Sequence, residues 1–111
     1  MKNKTFSLGA REFLVNVVND YDSHYLGSTH SAAGKITIYR KVDEHQEVPE
    51  DNLEETLWHE VLHAILISLG KHDLSNDEVF VSSCSTLLTQ AINTMEDLDD
   101  PKPSKKGREN A

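Results

Sequence analysis

Residues 49–70 have the sequence PEDNLEETLWHEVLHAILISLG, in which apolar residues recur three or four positions apart. This spacing is typical of an amphipathic α-helix. Pro49 and the four acidic residues that follow it are suited to a helix N-terminus, where carboxylates interact favourably with the positive end of the helix dipole. Gly70 is suited to the position just beyond the last helical residue. The segment therefore predicts one long helix that ends near Leu69.

A second helix is predicted to begin near Ser75. The sequence Ser75-Asn76-Asp77-Glu78 matches a capping box, with Ser75 as the N-cap and Glu78 three positions later. Apolar residues then recur at helical spacing as far as Met95. Because the connection between the two helices is short, we expect them to pack antiparallel.

The first forty residues favour strands. Apolar and polar residues alternate over residues 6–8 and 13–17, on either side of a predicted turn at Gly9, which predicts a β-hairpin. A helix over residues 12–18 is the alternative, but the three valines there favour a strand. Residues 35–40 alternate in the same way and predict a further strand. The expected fold is therefore α+β, with a short antiparallel β-sheet followed by two antiparallel α-helices.

Length and charge restrict the class of protein. The chain has 111 residues, enough for one small domain, which we assign to residues 1–98. Residues 99–111 change from acidic to basic, contain no large apolar residue, and are expected to form a disordered tail. Residues 1–101 contain 7 Lys or Arg and 18 Asp or Glu, a net charge of −11, so the folded domain is not expected to bind nucleic acid. A DNA-associated regulator acting through Lys102–Arg108 is the function that the sequence favours least.

The sequence also favours a location. It contains no apolar stretch long enough to cross a bilayer, so we expect no association with membranes. The N-terminal residues lack the pattern of a secretory signal, and Cys84 is the single cysteine. The predicted location is the cytoplasm.

The predicted first helix contains the motif His59-Glu60-Val61-Leu62-His63. A separation of four residues places both imidazoles on one face of the helix, one turn apart, where both can bind one zinc ion. Glu60 lies beside the first histidine, and its carboxylate can reach a water bound to the metal. Burial of these polar residues in an apolar helix without a partner would be costly, and a metal removes that cost. The motif therefore predicts a Zn²⁺ site with Glu60 as the catalytic base.

A zinc site needs a third protein ligand. The candidates follow Gly70, and they are His72, Asp73, Asp77 and Glu78. Glu78 is preferred because the first turn of the antiparallel helix must pass beside His63. The competing role for Glu78 is the capping box, which would turn its carboxylate towards the backbone of Ser75.

With these residues the sequence resembles the small metallopeptidase-like zincins of phages and mobile elements that are related to ImmA/IrrE. The likeness covers roughly residues 34–95. It implies a minimal zincin-like domain, zinc bound by His59, His63 and Glu78, and Glu60 as the general base of a cytoplasmic peptidase. Members of the family often carry a DNA-binding or sensory segment, for which this length leaves no room, so their regulatory role is not expected here.

The resemblance also implies a substrate-binding strand. Zincins align an extended substrate with the edge strand before the motif helix, and residues 35–40 are the candidate for that strand. Tyr39 and His30 are alternative candidates for stabilising the oxyanion. Three histidines, His24, His30 and His45, are otherwise expected to be solvated residues of loops.

The alternative function is non-catalytic. A domain of this size has a small core and gains stability from a bound metal. In this interpretation the zinc stabilises a module that binds a host or phage protein and cleaves no peptide.

Overall fold

The computed structural model describes residues 1–101 and contains four strands followed by three helices. The elements are β1 (Lys4–Leu8), β2 (Arg11–Val18), β3 (Gly27–His30), β4 (Lys35–Tyr39), α1 (Glu50–Ser68), α2 (His72–Ser75) and α3 (Glu78–Thr94). A single 3₁₀ turn connects β3 to β4. The predicted α+β class is confirmed. The predicted tail lies outside the described residues from position 102 onwards.

The four strands form one sheet in the order β1-β2-β4-β3. The predicted hairpin of β1 and β2 is confirmed, with Gly9 at φ 63° in its turn, and the alternative helix over residues 12–18 is wrong. β4 pairs antiparallel with β3 but parallel with β2, so the sheet is mixed. The reason is that β3 reverses the chain before β4 begins. β4 then runs in the direction of β2 and lies between β2 and β3.

The position of β4 corrects the expectation for the substrate strand. Residues 35–39 are paired on both sides, so their backbone groups are not available to an added strand. The strand at this edge of the sheet is β3, which the sequence did not predict. Its sequence, Gly-Ser-Thr-His, contains only one residue type with a clear preference for strands.

One face of the sheet packs against α1. The buried residues of this contact are apolar and come from β2, β4, the loop before α1 and α1 itself: Val15, Ile36, Ile38, Val48, Leu53, Leu57 and Val61. The alternation of side chains along each strand directs these residues to the same face. The sheet and α1 therefore form two layers around the main hydrophobic core.

α1 has the bounds that its apolar spacing predicts. It ends at Ser68, and Gly70 has φ 75°, the left-handed conformation that favours glycine after a helix. The backbone N–H groups of Gly70 and Lys71 donate to the carbonyls of Ile67 and Leu66. These bonds satisfy carbonyl groups at the end of the helix.

The predicted capping box is wrong. After Gly70 the chain forms the short helix α2, which contains Ser75, and α3 begins only at Glu78. The N-cap of α3 is Asp77, whose carboxylate accepts a hydrogen bond from Phe80 N at 3.1 Å. Glu78 is therefore the first residue of α3, and its carboxylate is not used for capping.

α3 packs antiparallel to α1, as predicted. The first residue of α3 contacts His63 near the end of α1, whereas Thr86, eight residues later, donates to Glu55 near the start of α1 at 2.6 Å. Within residues 1–101, no helix is long and apolar enough to cross a membrane.

Candidate metal centre

α1 places His59 and His63 on the side that faces α3. Their rings are one helical turn apart, with centroids separated by 5.0 Å, and both side chains are half-buried. The opposite side of the helix packs against the sheet. The predicted helical spacing therefore presents both imidazoles to the interface between two helices.

Glu78 completes a group of three potential ligands. One carboxylate oxygen lies 3.2 Å from His59 Nε2 and the other lies 3.1 Å from His63 Nε2. One potential ligand atom from each residue lies within 4.8 Å of the other two. Ligand atoms about 2.0–2.1 Å from a tetrahedral zinc ion are about 3.3 Å apart, so the donor atoms and their separations fit this ion.

The other candidates for the third ligand lie elsewhere. His72 and Asp73 are exposed and line a separate hollow beside Gly70, away from the two histidines. The Asp77 carboxylate caps α3. Among residues 1–101, Glu78 is the only one of the four candidates that joins the histidine pair.

Ser75 orients one of the histidines. Its side chain is buried, and its hydroxyl oxygen lies 2.9 Å from His63 Nδ1. If Nδ1 carries the proton and donates to this oxygen, the lone pair of Nε2 faces Glu78. A hydrogen bond to the second ring nitrogen is the usual means by which proteins fix the tautomer of a metal-ligating histidine.

Glu60 is buried between α1 and the edge strand, with 7% of its surface exposed. Thr29 Oγ1 lies 2.7 Å from Glu60 Oε1 and 3.0 Å from the backbone oxygen of the same residue. The single hydroxyl proton can be donated to only one of these acceptors at a time. Thr29 thus connects the predicted general base to β3.

Gly27 allows the close approach of the helix and the edge strand. A Cβ atom at this position would lie 2.7 Å from Thr56 Cγ2 and 3.3 Å from Glu60 Cγ. The first distance is a steric clash and the second is tight. The absence of a side chain at Gly27 therefore determines how closely α1, with Glu60, lies against β3.

The three ligand candidates and Glu60 border a cleft between β3 and α3. Two adjoining cavities of about 280 and 340 Å³ share Tyr25, Gly27, His59 and Glu60 in their walls. The smaller cavity contains His63 and Glu78, and the larger extends towards the start of α1. The site is therefore open to a ligand larger than a water molecule.

Neither predicted oxyanion stabiliser borders the cleft. His30 and Tyr39 each follow a residue that faces α1, so alternation along the strand places them on the opposite face of the sheet. His30 also ends β3 instead of lying in a loop. The phenol that does line both cavities is that of Tyr25, in the loop before β3.

Sequence reasoning missed four contributors to the site, namely Tyr25, Gly27, Thr29 and Ser75. Tyr25, Gly27 and Thr29 reach the site because β3 pairs with β4 and packs against α1. No local sequence pattern predicts these contacts. The sequence does single out Ser75, but as the N-cap of a helix and not as a partner of His63.

Comparison of the chain with protein-family models, with curated proteins and with solved structures finds no match. The resemblance to the ImmA/IrrE-related zincins stays a prediction from the residues quoted above.

Proposed function

We propose that this protein is a zinc-dependent peptidase of the zincin type, in which His59, His63 and Glu78 hold Zn²⁺ and Glu60 is the general base. The observation that carries the proposal is the position of the Glu78 carboxylate, 3.2 and 3.1 Å from the two Nε2 atoms. Catalytic zinc sites have three protein ligands, and these three side chains would supply them. The cytoplasm is the proposed location, and it is supported by the single cysteine, Cys84, which cannot form a disulfide within the chain.

Bound zinc would supply a Lewis acid and lower the pKa of a water ligand. Glu60 accepts a proton from the water that attacks the peptide carbonyl carbon and delivers it to the departing amine as the C–N bond breaks. The bond from Thr29 keeps the Glu60 carboxylate aimed into the cleft. Glu60 lines both cavities, which supports a role for its carboxylate beside a bound substrate.

The substrate backbone is proposed to add to the free edge of β3. The bond from Tyr39 N to Leu26 O identifies residues 26, 28 and 30 as those bonded to β4. In an antiparallel ladder the intervening residues direct their N–H and C=O groups the other way. Gly27 and Thr29 therefore present backbone groups to an extended peptide beside the metal centre.

The test combines zinc content with cleavage of a peptide library. Elemental mass spectrometry of untagged protein is expected to give about one zinc per chain, lost in His63→Ala and Glu78→Ala. The zinc-loaded wild type is expected to cleave the library, and Glu60→Gln is expected to keep zinc and lose at least about 100-fold in rate. Glu54→Gln is the matched control. A Glu60→Gln variant that cleaves normally would contradict the proposed role of the base.

The second candidate function is a non-catalytic module stabilised by zinc. One observation favours it: the buried residues of α3 are only Val81, Ser85 and Thr89, so apolar contacts hold this helix weakly. A metal that joins Glu78 to two residues of α1 would strengthen this contact. Strong thermal stabilisation by zinc, together with an uncut library, would favour the module over the peptidase.

A further inference from the structure

The larger cavity of the cleft has a polar wall that the proposed chemistry does not use. It encloses about 340 Å³ between the loop before β3 and the facing sides of α1 and α3. Beyond His59 and Glu60, its walls contain seven residues with polar side chains: His24, Tyr25, Asn52, Glu55, Thr56, Ser82 and Ser85. Glu55 is the only carboxylate among these seven residues, so it supplies the negative charge at this end of the cleft.

Glu55 is held in place but has no cationic partner. Its side chain is half-buried, and its Oε1 accepts a hydrogen bond from Thr86 Oγ1 at 2.6 Å. Within residues 1–101, no lysine, arginine or histidine nitrogen lies within 4.0 Å of this carboxylate. The bond from Thr86 uses one oxygen and leaves the charge uncompensated. A partly buried carboxylate in this state favours a cation.

Glu55 lies about one helical turn from His59 on α1. It precedes His59 by four residues on α1, which corresponds to about 6 Å along the helix axis. A long side chain that leaves a peptide backbone beside His59 could therefore extend along α1 to the Glu55 carboxylate. Short side chains would not reach it.

We propose that this cavity is a specificity pocket for the basic side chain, lysine or arginine, of a residue next to the scissile bond. The inference rests on the proposed peptidase function. A basic group forms an ion pair with Glu55 and donates hydrogen bonds to Asn52 and Ser82. An apolar side chain would cover the carboxylate without pairing it, and an acidic one would be repelled. The net charge of −11 over residues 1–101 adds long-range attraction for basic peptides.

The pocket can be tested without any hydrolysis. Zinc-loaded, isotope-labelled protein is titrated with Nα-acetyl-arginine methylamide and, separately, with Nα-acetyl-norleucine methylamide, and amide chemical shifts are followed by NMR. The arginine probe is expected to shift the signals of residues around Asn52, Thr56 and Ser85, and the norleucine probe is not. Glu55→Gln keeps an oxygen for Thr86 and is expected to weaken arginine binding about 10-fold or more. Glu54→Gln, on the same helix, is expected to change it less than about 2-fold.

The outcomes separate this inference from the proposed function. Equal shifts with both probes, or equal binding by Glu55→Gln and Glu54→Gln, would overturn the pocket whether or not the protein is a peptidase. A library that stays uncut would overturn the peptidase, and the titration would still decide what the pocket binds. If the library is cut, lysine or arginine must be enriched at one position next to the cleaved bond. Cleavage without that enrichment would also overturn the pocket.

Discussion

The two sides of α1 differ in chemistry. On the side that faces the sheet, Leu53, Leu57 and Val61 pack against buried apolar residues of β2 and β4. On the side that faces α2 and α3, polar groups meet: His59 and His63 contact Glu78, Ser75 bonds His63, and Glu55 bonds Thr86. One helix therefore has an apolar contact and a polar contact on different faces.

The difference indicates that the sheet side of α1 mainly stabilises the domain, whereas the opposite side forms the candidate site. Burial of apolar surface contributes about 25 cal/mol per Å², so the contact with the sheet dominates folding stability. The contact with α3 contributes less and depends on paired polar groups, whose loss leaves partners unsatisfied. We expect changes in side-chain volume on the sheet side to lower the free energy of unfolding. We expect metal binding to stabilise the contact between α1 and α3.

The largest effect is expected from the sheet side. Ile38→Ala removes a fully buried side chain from the main core and should lower the free energy of unfolding by about 2–5 kcal/mol. The loss should be similar with and without zinc, as measured by urea denaturation. Ile38→Val, the matched control, should cost about 0.5–1.5 kcal/mol. If zinc fully restored the free energy of unfolding of Ile38→Ala, the two sides of α1 would not contribute independently to stability.

Zinc should act on the α3 side. At 100 times its dissociation constant, a ligand that binds only the folded state stabilises it by about 2.7 kcal/mol. For a domain of this size each kcal/mol corresponds to about 4–8 °C in Tm, which calorimetry can measure. His63→Ala should abolish this rise, whereas His45→Ala, in an exposed loop, should keep it. The same rise in both variants would place the metal elsewhere.

Gly27→Ala should perturb the boundary between the edge strand and α1. The new Cβ atom would lie 2.7 Å from Thr56 Cγ2, so overpacking should cost about 1–3 kcal/mol and displace Glu60. The double variant with Thr56→Ser removes the methyl group that clashes and should recover part of the stability in thermal unfolding, since the Thr37 carbonyl oxygen would still lie 3.1 Å from the new Cβ atom. A Gly27→Ala variant as stable as the wild type would show that the strand and helix separate easily.

Ser75→Ala should weaken zinc binding more than it weakens the fold. Loss of a hydrogen-bond partner of a metal-ligating histidine typically lowers metal affinity about 10–100-fold. Competition with a chromophoric chelator measures this change. Ser83→Ala, at an exposed position of α3, is the control and should keep the wild-type affinity. Equal affinities in the two variants would remove the positioning role of Ser75.

The smallest effect is expected at the N-cap of α3. Asp77→Ala removes the acceptor for Phe80 N and should cost about 0.5–2 kcal/mol without changing the zinc stoichiometry. Asp73→Ala, in an exposed position, should change stability by less than about 0.5 kcal/mol. Chemical denaturation followed by circular dichroism compares the two. A loss of zinc in Asp77→Ala would reopen the choice of third ligand.

Local sequence patterns predicted the elements whose signals are long and periodic. α1, its end at Gly70 and the hairpin around Gly9 follow from apolar spacing and from the two glycines. β3 was missed because four residues carry little periodicity and Thr29 alone favours a strand. Its pairing with β4 depends on contacts distant in sequence, so the sheet edge and the candidates for the oxyanion were assigned wrongly.

The candidate metal centre was more predictable than its surroundings. The spacing of His59 and His63 within a helix requires their rings to share a face, and a short connection requires the next helix to return beside them. Ser75 and Asp77 were harder to assign because serine and aspartate both cap helices, and only the extra turn of α2 decides between them.

The sequence order of the site has a consequence for folding kinetics. His59, His63 and Glu78 lie in one continuous segment that contains no strand, whereas Thr29 and Glu60 are 31 residues apart and meet only when the sheet docks. Short loops close with a smaller loss of entropy, and local contacts form sooner than distant ones. If zinc binds to this group, it should join the helices early, before Thr29 reaches Glu60. Stopped-flow experiments are then expected to show faster refolding with zinc, and the acceleration should disappear in His63→Ala.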